Sequence, residues 1–252
     1  MNNLNLAGKK FLVTGAGRGF GKAIAKALDA NGSKVYAASK SVDTLDALKA
    51  ENPSVHTIAV DLSNWDETRT KLAKIEPLYG LVNNAGIYNT SDQASDTSRD
   101  MLYYKFIDTN LMSAINCIQI AAKGMIKIGN GGSIVNRSSM GYLHIPHPPL
   151  YQMSYNLTKA ALDQVTREFA VELGRYKIRV NSLNPILVRT DMTEHLYQML
   201  PELAEELGTA IPLKEPPTIN SIVGPALYFL NDLSGFVTGT VNVIGGGLTK
   251  SF

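Results

Sequence analysis

Residues 11–28 constrain this chain more tightly than any other stretch. Phe11-Leu12-Val13-Thr14 is an apolar, β-forming run, and Gly15-Ala16-Gly17-Arg18-Gly19-Phe20-Gly21 follows it without a spacer. Ile24, Ala25, Ala27 and Leu28 then recur at helical spacing. A strand that turns so sharply into a helix reads as the first half of a β-α-β unit, because the glycines let the backbone reverse tightly. The helix N-terminus formed there presents unpaired N–H groups and partial positive charge, which suits an anion.

The remainder alternates in the same way. Strands are expected at 10–14, 34–38, 55–60, 80–83, 133–136, 178–183 and 240–244, several with continuous apolar cores as for strands covered on both faces. Helices are expected at 21–31, 42–50, 65–74, 99–127, 152–174 and 219–231, with Gly32 and Gly174 placed to terminate two of them. No repeat, low-complexity tract or linker divides the 252 residues. The expectation is one α/β domain: a Rossmann-type, doubly wound, seven-stranded, mostly parallel sheet with helices on both faces. Three irregular segments, 87–98, 141–150 (with Pro146, Pro148 and Pro149) and 190–217, would sit at the carboxyl ends of strands, where such sheets build their sites. The last of these reads as one or two short helices and is expected to be the substrate loop.

Composition narrows the function classes. Lys and Arg total 24 against 22 Asp and Glu, so no strong field invites nucleic acid or an anionic membrane. Cys117 is the only cysteine, which excludes an intrachain disulfide and suits a reducing compartment. No stretch approaches the roughly 20 apolar residues of a membrane span, and the first residues carry no signal-peptide core, so a cytoplasmic protein is expected. Without a secretory signal the acceptor patterns at Asn89, Asn136 and Asn156 carry no meaning. His144-Ile-Pro-His147 hints at a metal, but Pro146 spoils a helical ligand face and no Cys or carboxylate cluster accompanies it; no metal is expected. No Gly-x-Ser-x-Gly elbow surrounds Ser139, which argues against a hydrolytic nucleophile. Cys117, among Ile115, Ile118 and Ile120, reads as an inert small hydrophobe, and Met192, Leu196 and Met199 as packing or lid residues.

Strand, glycine turn and helix together point to a dinucleotide on that helix N-terminus. The end of the second strand selects which one. An acidic residue there would hold a ribose 2′-hydroxyl, whereas a 2′-phosphate needs positive charge. This chain reads Ser39-Lys40-Ser41, with no carboxylate until Asp43, and Arg18 in the glycine turn supplies a second cation. NADP(H) is therefore expected. Further along, Tyr155 and Lys159 lie four apart on one helix face. A nearby ammonium favours a phenolate and brings a tyrosine closer to the operating pH. Tyr155 could then protonate a carbonyl oxygen as hydride reaches carbon, with Ser139 hydrogen-bonding the same oxygen.

These residues resemble the short-chain dehydrogenase/reductase family over essentially the whole chain. Thr14-Gly15-x3-Gly19-x-Gly21 matches its glycine motif, Asn83-Asn84-Ala85-Gly86 its strand-four motif, and Asn110, Ser139, Tyr155 and Lys159 its catalytic tetrad. The resemblance implies that Lys159 also binds the nicotinamide ribose and that Asn110 positions Lys159 through water. It places Asp61 and Leu62 beside the adenine, and Pro185, Val188 and Thr190 near the nicotinamide carboxamide. Within the family the chain is most similar to NADPH-dependent, tetrameric reductases of α-dicarbonyls and pentuloses such as L-xylulose, so a small carbonyl substrate and a homotetramer are implied. In that subgroup Gln152 and Tyr197 line the substrate side, although Gln152 stands where a histidine is usual. Arg137 replaces a small apolar residue, Ile186 a glycine, and the tract between Ser139 and Tyr155 is about three residues longer than usual. Two other readings follow from the same residues: reduction of another ketone, such as a 3-oxoacyl thioester or a steroid, and an NADP-binding scaffold without turnover.

Overall fold

The computed structural model describes residues 4–88, 91–92, 103–143 and 151–248. Seven strands form one sheet: β1 (Lys10–Thr14), β2 (Lys34–Ser39), β3 (His56–Ala59), β4 (Gly80–Asn83), β5 (Gly132–Arg137), β6 (Ile178–Pro185) and β7 (Val241–Ile244). Their order is β3-β2-β1-β4-β5-β6-β7, and every pairing is parallel. The order reverses between β1 and β4, so a crevice opens beyond their carboxyl ends, where α/β sheets bind ligands.

The helices are α1 (Gly19–Ala30), α2 (Val42–Glu51), α3 (Trp65–Leu72), α4 (Tyr103–Phe106), α5 (Ser113–Ile128), α6 (Met153–Gly174), α7 (Glu194–Met199), α8 (Leu203–Ala210) and α9 (Asn220–Leu230). They cover both faces of the sheet. On one face α1 and α9 bring Ile24, Leu28, Ile222 and Phe229 against Phe11, Val13, Val35 and Val135. On the other, α5 and α6 bring Ile118, Met125 and Leu173 against Leu12, Leu81 and Ile134. Burial of such side chains contributes about 1.5–3 kcal/mol each.

All seven expected strands are present, within one or two residues of the expected ends. α6 ends at Gly174 as expected, with the left-handed conformation falling beyond it on Lys177, at φ 57°; Gly32, at φ 76°, ends α1's turn as expected. Three local expectations need correction. The helix around Asn110 is not uniform: between α4 and α5, Ile107–Met112 forms a π-helical stretch. A short parallel pair joins Ser91–Asp92, within the segment expected to be irregular, to Tyr151–Gln152, so Gln152 belongs to a strand and not to the start of α6. Finally, Tyr104–Ile128 is long and apolar enough to pass for a membrane span by length and composition, contrary to expectation. Its Cys117, Ile118, Ala121 and Met125 pack on the sheet instead. His144, His147, the three prolines and most of 87–98 lie outside the described residues.

Candidate active site

The glycine turn is built by close approach. A Cβ on Gly15 would fall 2.8 Å from the Ala85 Cα, and one on Gly21 would fall 2.3 Å from the Gly15 oxygen. Gly17 meets Thr44 and Ser39 in the same way, at 2.1 Å and 3.2 Å from their hydroxyl oxygens. By contrast, nothing stands within 4 Å of a Cβ on Gly19, whose φ is +55°. Thr14 locks this turn to the end of β4: its hydroxyl accepts from Asn84 N at 2.9 Å and Ala85 N at 3.1 Å. The Asn84 amide returns bonds to the Thr14 and Gly15 carbonyls at 3.0 and 3.1 Å. Arg18 caps α1 in extended conformation without a side-chain bond to the helix, which leaves first-turn amides for an anion.

A cleft of about 610 Å³ runs from this turn across the carboxyl ends of the strands. Gly15, Arg18, Gly19 and Phe20 line it at one end, with Ser39, Lys40, Asp61 and Leu62 flanking them. Asn84, Ala85 and Gly86 form its middle. Ser139, Gln152, Tyr155, Pro185, Val188 and Thr190 line the other end. Gly17 and Gly21 lie behind the wall as packing residues. Tyr197 is not among the lining residues; the Arg189 guanidinium stands 5.5 Å from its ring. On the same loop Met192 reaches the cleft, Leu196 is fully buried and Met199 is exposed.

Lys40 and Asp61, assigned separate tasks in the sequence, meet: the Lys40 ammonium donates to Asp61 Oδ2 at 2.6 Å. Partial burial pushes the Asp61 carboxyl up, but Lys40 and Ser63 outweigh it and hold the group below its usual value. The Lys40 pKa is raised by the same bond. Arg18, in contrast, is exposed on the cleft rim.

At the far end, α6 carries Tyr155 and Lys159 on one face. The Lys159 ammonium lies 5.6 Å from the centre of the Tyr155 ring and donates to the Arg137 carbonyl at 2.9 Å. Lys159 is fully buried. Burial, reinforced by the Arg137 charge and opposed by Asp163, brings its pKa well below 10.5. Asn110, also buried, grips the chain beyond β4: it accepts from Ile87 N at 2.7 Å and donates to Ile87 O at 3.1 Å and to Thr158 Oγ1 at 3.2 Å. A Cβ on Gly86 would lie 3.2 Å from Asn110 Oδ1 and 3.6 Å from Lys159 Nζ, so Asn110 and Lys159 converge on one spot without bonding each other. The extra residue in the π stretch aims Asn110 there, as π-bulges at functional sites commonly do.

Sequence reasoning missed the frame around Ser139. Asn184 donates to the Ser139 carbonyl at 3.2 Å and to Asp163 Oδ2 at 2.6 Å. The Tyr142 hydroxyl donates to the same carboxylate oxygen, and Ser182 to Oδ1 at 2.5 Å. Asp163 is buried one turn beyond Lys159; that spacing was the available signal. Tyr88 was missed as well. It meets the Tyr155 ring edge-on at 5.0 Å and lies 6.1 Å from the His195 ring. Burial pushes the Cys117 thiol up to about 12, in keeping with an inert side chain.

The donor set fits a dinucleotide phosphate: first-turn amides, two cations, three hydroxyls at Ser39, Ser41 and Thr44, and no carboxylate at the end of β2. Comparison with known proteins points the same way. A family model described as enoyl-(acyl carrier protein) reductase matches residues 15–249. The L-xylulose reductase of Bos taurus is 39% identical over 97% of this chain and 98% of its own. Carbonyl reductase (NADPH) 2 of Sus scrofa is 36% identical over 98% of this chain and 99% of its own. A solved structure from Beutenbergia cavernae with bound NADP at low occupancy is 29% identical. It aligns with a TM-score of 0.88 over 97% of this chain and 98% of that one.

Proposed function

The chain belongs to the short-chain dehydrogenase/reductase family of oxidoreductases, and on that premise we propose that it is an NADPH-dependent reductase of small carbonyl compounds. The substrates best supported are α-dicarbonyls such as diacetyl, and pentuloses such as L-xylulose. The observation that carries this reading is the convergence of Ser139 and Tyr155 at one end of a cleft whose other end is the glycine turn.

NADP(H), when bound, supplies or accepts the hydride. Arg18, with Lys40 beside it, would hold the 2′-phosphate, and the α1 amides a phosphate next to it. Lys159 would hold the ribose at the reacting end. Ser139 orients the substrate oxygen by a hydrogen bond, and Tyr155 gives that oxygen its proton. Tyr88 and Gln152 shape the space above, and loop 190–217, with Met192 on the cleft, closes over it as the substrate loop. Gln152 is an uncharged donor and acceptor, compatible with a polyol ketone. Assembly as a homotetramer in the cytoplasm accompanies this reading. α6 leaves Leu157 and Val171 48% and 84% exposed, apolar surface that a second copy would cover.

Oxidation of NADPH with diacetyl, L-xylulose and a 3-oxoacyl thioester tests the proposal. Turnover of either small carbonyl above the thioester supports it. The family model's acyl carrier protein description favours the thioester as the second reading, and turnover of that compound alone would establish it in place of the first.

A further inference from the structure

Arg137 ends β5 and is 7% exposed, yet its side chain reaches the cleft. Its Nε and Nη2 both donate to one acceptor, the Asn84 carbonyl, at 3.4 Å. The guanidinium also lies 5.8 Å from the centre of the Phe20 ring. Among the described residues no carboxylate pairs with it. A guanidinium offers five N–H donors, so most of this one's capacity is unspent, and a buried cation without a counter-charge is costly. Its place along the cleft is informative. Phe20 belongs to the glycine turn, whereas the point where a Cβ on Gly86 would stand is 3.6 Å from both Arg137 Nη2 and Lys159 Nζ. The cation therefore sits between the two ends, nearer the reacting one.

We propose that Arg137 is a cofactor-binding residue whose guanidinium takes the nicotinamide-side phosphate of the dinucleotide. This inference rests on the NADP(H) reading of the cleft. The linking diphosphate is the anionic group that spans the turn and the reacting end. The α1 amides hold its adenosine-side half, and Arg137 supplies the counter-charge for the other half. Charge-assisted bonds from a guanidinium to phosphate are among the strong ones. The bound anion would supply the counter-charge that the described residues do not give the Arg137 guanidinium.

Binding to the full chain should be titrated with three ligands: NADPH, 2′-phospho-ADP-ribose and adenosine 2′,5′-bisphosphate. The last lacks the nicotinamide-side phosphate. Arg137→Met should weaken the first two by a common factor, about tenfold or more, and leave the third within about twofold. Arg137→Lys should recover part of the loss, and Arg137→Gln provides a second uncharged variant should the methionine protein fail to fold. Equal weakening of all three ligands, weakening of NADPH alone, or no weakening each overturns the assignment. Failure of the unmodified protein to bind either NADPH or 2′-phospho-ADP-ribose would instead overturn the cofactor reading itself.

Discussion

The two ends of the cleft are built differently. The cofactor end is held by backbone and short side chains: glycines in contact with neighbouring backbone, the Thr14 hydroxyl between β1 and β4, and the amide of Asn84 on two carbonyls. The other end, where the substrate is proposed to react, is walled in part by segments outside the sheet, among them Gln152 of a two-residue strand pair, residues 190–193 and Leu207 of α8. A site made from strand ends constrains residue type tightly, since a single methyl group collides with main chain. Loop walls constrain only size and polarity. The same contrast separates what family membership shows, an oxidoreductase on this fold, from the substrate, which is proposed.

Substitutions test this contrast, and the largest effect should come at the reacting end. Lys159→Met removes a buried cation; turnover should fall by about a hundredfold or more. The same change should raise the thermal midpoint by about a few degrees near neutral pH. Folding lowers the Lys159 pKa, so between that depressed value and 10.5 the unfolded chain binds the extra proton and stability rises with pH. Below that window the full penalty is present. The mutant's advantage should therefore be constant at low pH and vanish as pH climbs towards 10.5, which thermal melts across pH would reveal.

Next comes Gly21→Ala, whose methyl would meet the Gly15 oxygen and the Asn84 amide. Unfolding free energy should drop by about 1–3 kcal/mol, with cofactor affinity falling alongside it in a fluorescence titration. A matched methyl at Gly208 in α8, where nothing stands within 4 Å, should leave cofactor affinity unchanged and should not lower stability, since alanine is the better helix former.

Smaller effects should separate the two cations. Arg18→Ala should lower the ratio of kcat/KM for NADPH over NADH by about tenfold. Lys40→Ala should lower it less, because its side chain is 78% exposed and its ammonium is already engaged by Asp61. Smallest of all, Gln152→His should shift the KM for pentulose by about severalfold while leaving NADPH affinity unchanged. A change in NADPH affinity there would mean that the two ends are not independent.

How much was legible follows from the same contrast. Strand positions, the glycine turn and the Tyr155–Lys159 face could be read because each is a local pattern: apolar runs, glycine spacing, a four-residue repeat. The bond between Lys40 and Asp61 could not, since it joins two strand ends 21 residues apart. Nor could the π stretch that aims Asn110, because an inserted residue changes the helix register without changing its composition. Asp163 showed only its spacing from Lys159; its work in holding Asn184, and through it Ser139, depends on long-range contacts. Arg137 was recognisable as an oddity, but its neighbours Phe20 and Asn84 come from the first turn of α1 and from just beyond β4.

Tyr155 is proposed to deliver the proton in a cleft that binds NADPH independently of it. The decisive measurement is turnover of diacetyl by Tyr155→Phe beside its NADPH dissociation constant. The expected result is a loss of about a hundredfold or more in kcat with NADPH affinity within about twofold of the unmodified protein. Turnover that survives the loss of the hydroxyl would contradict it.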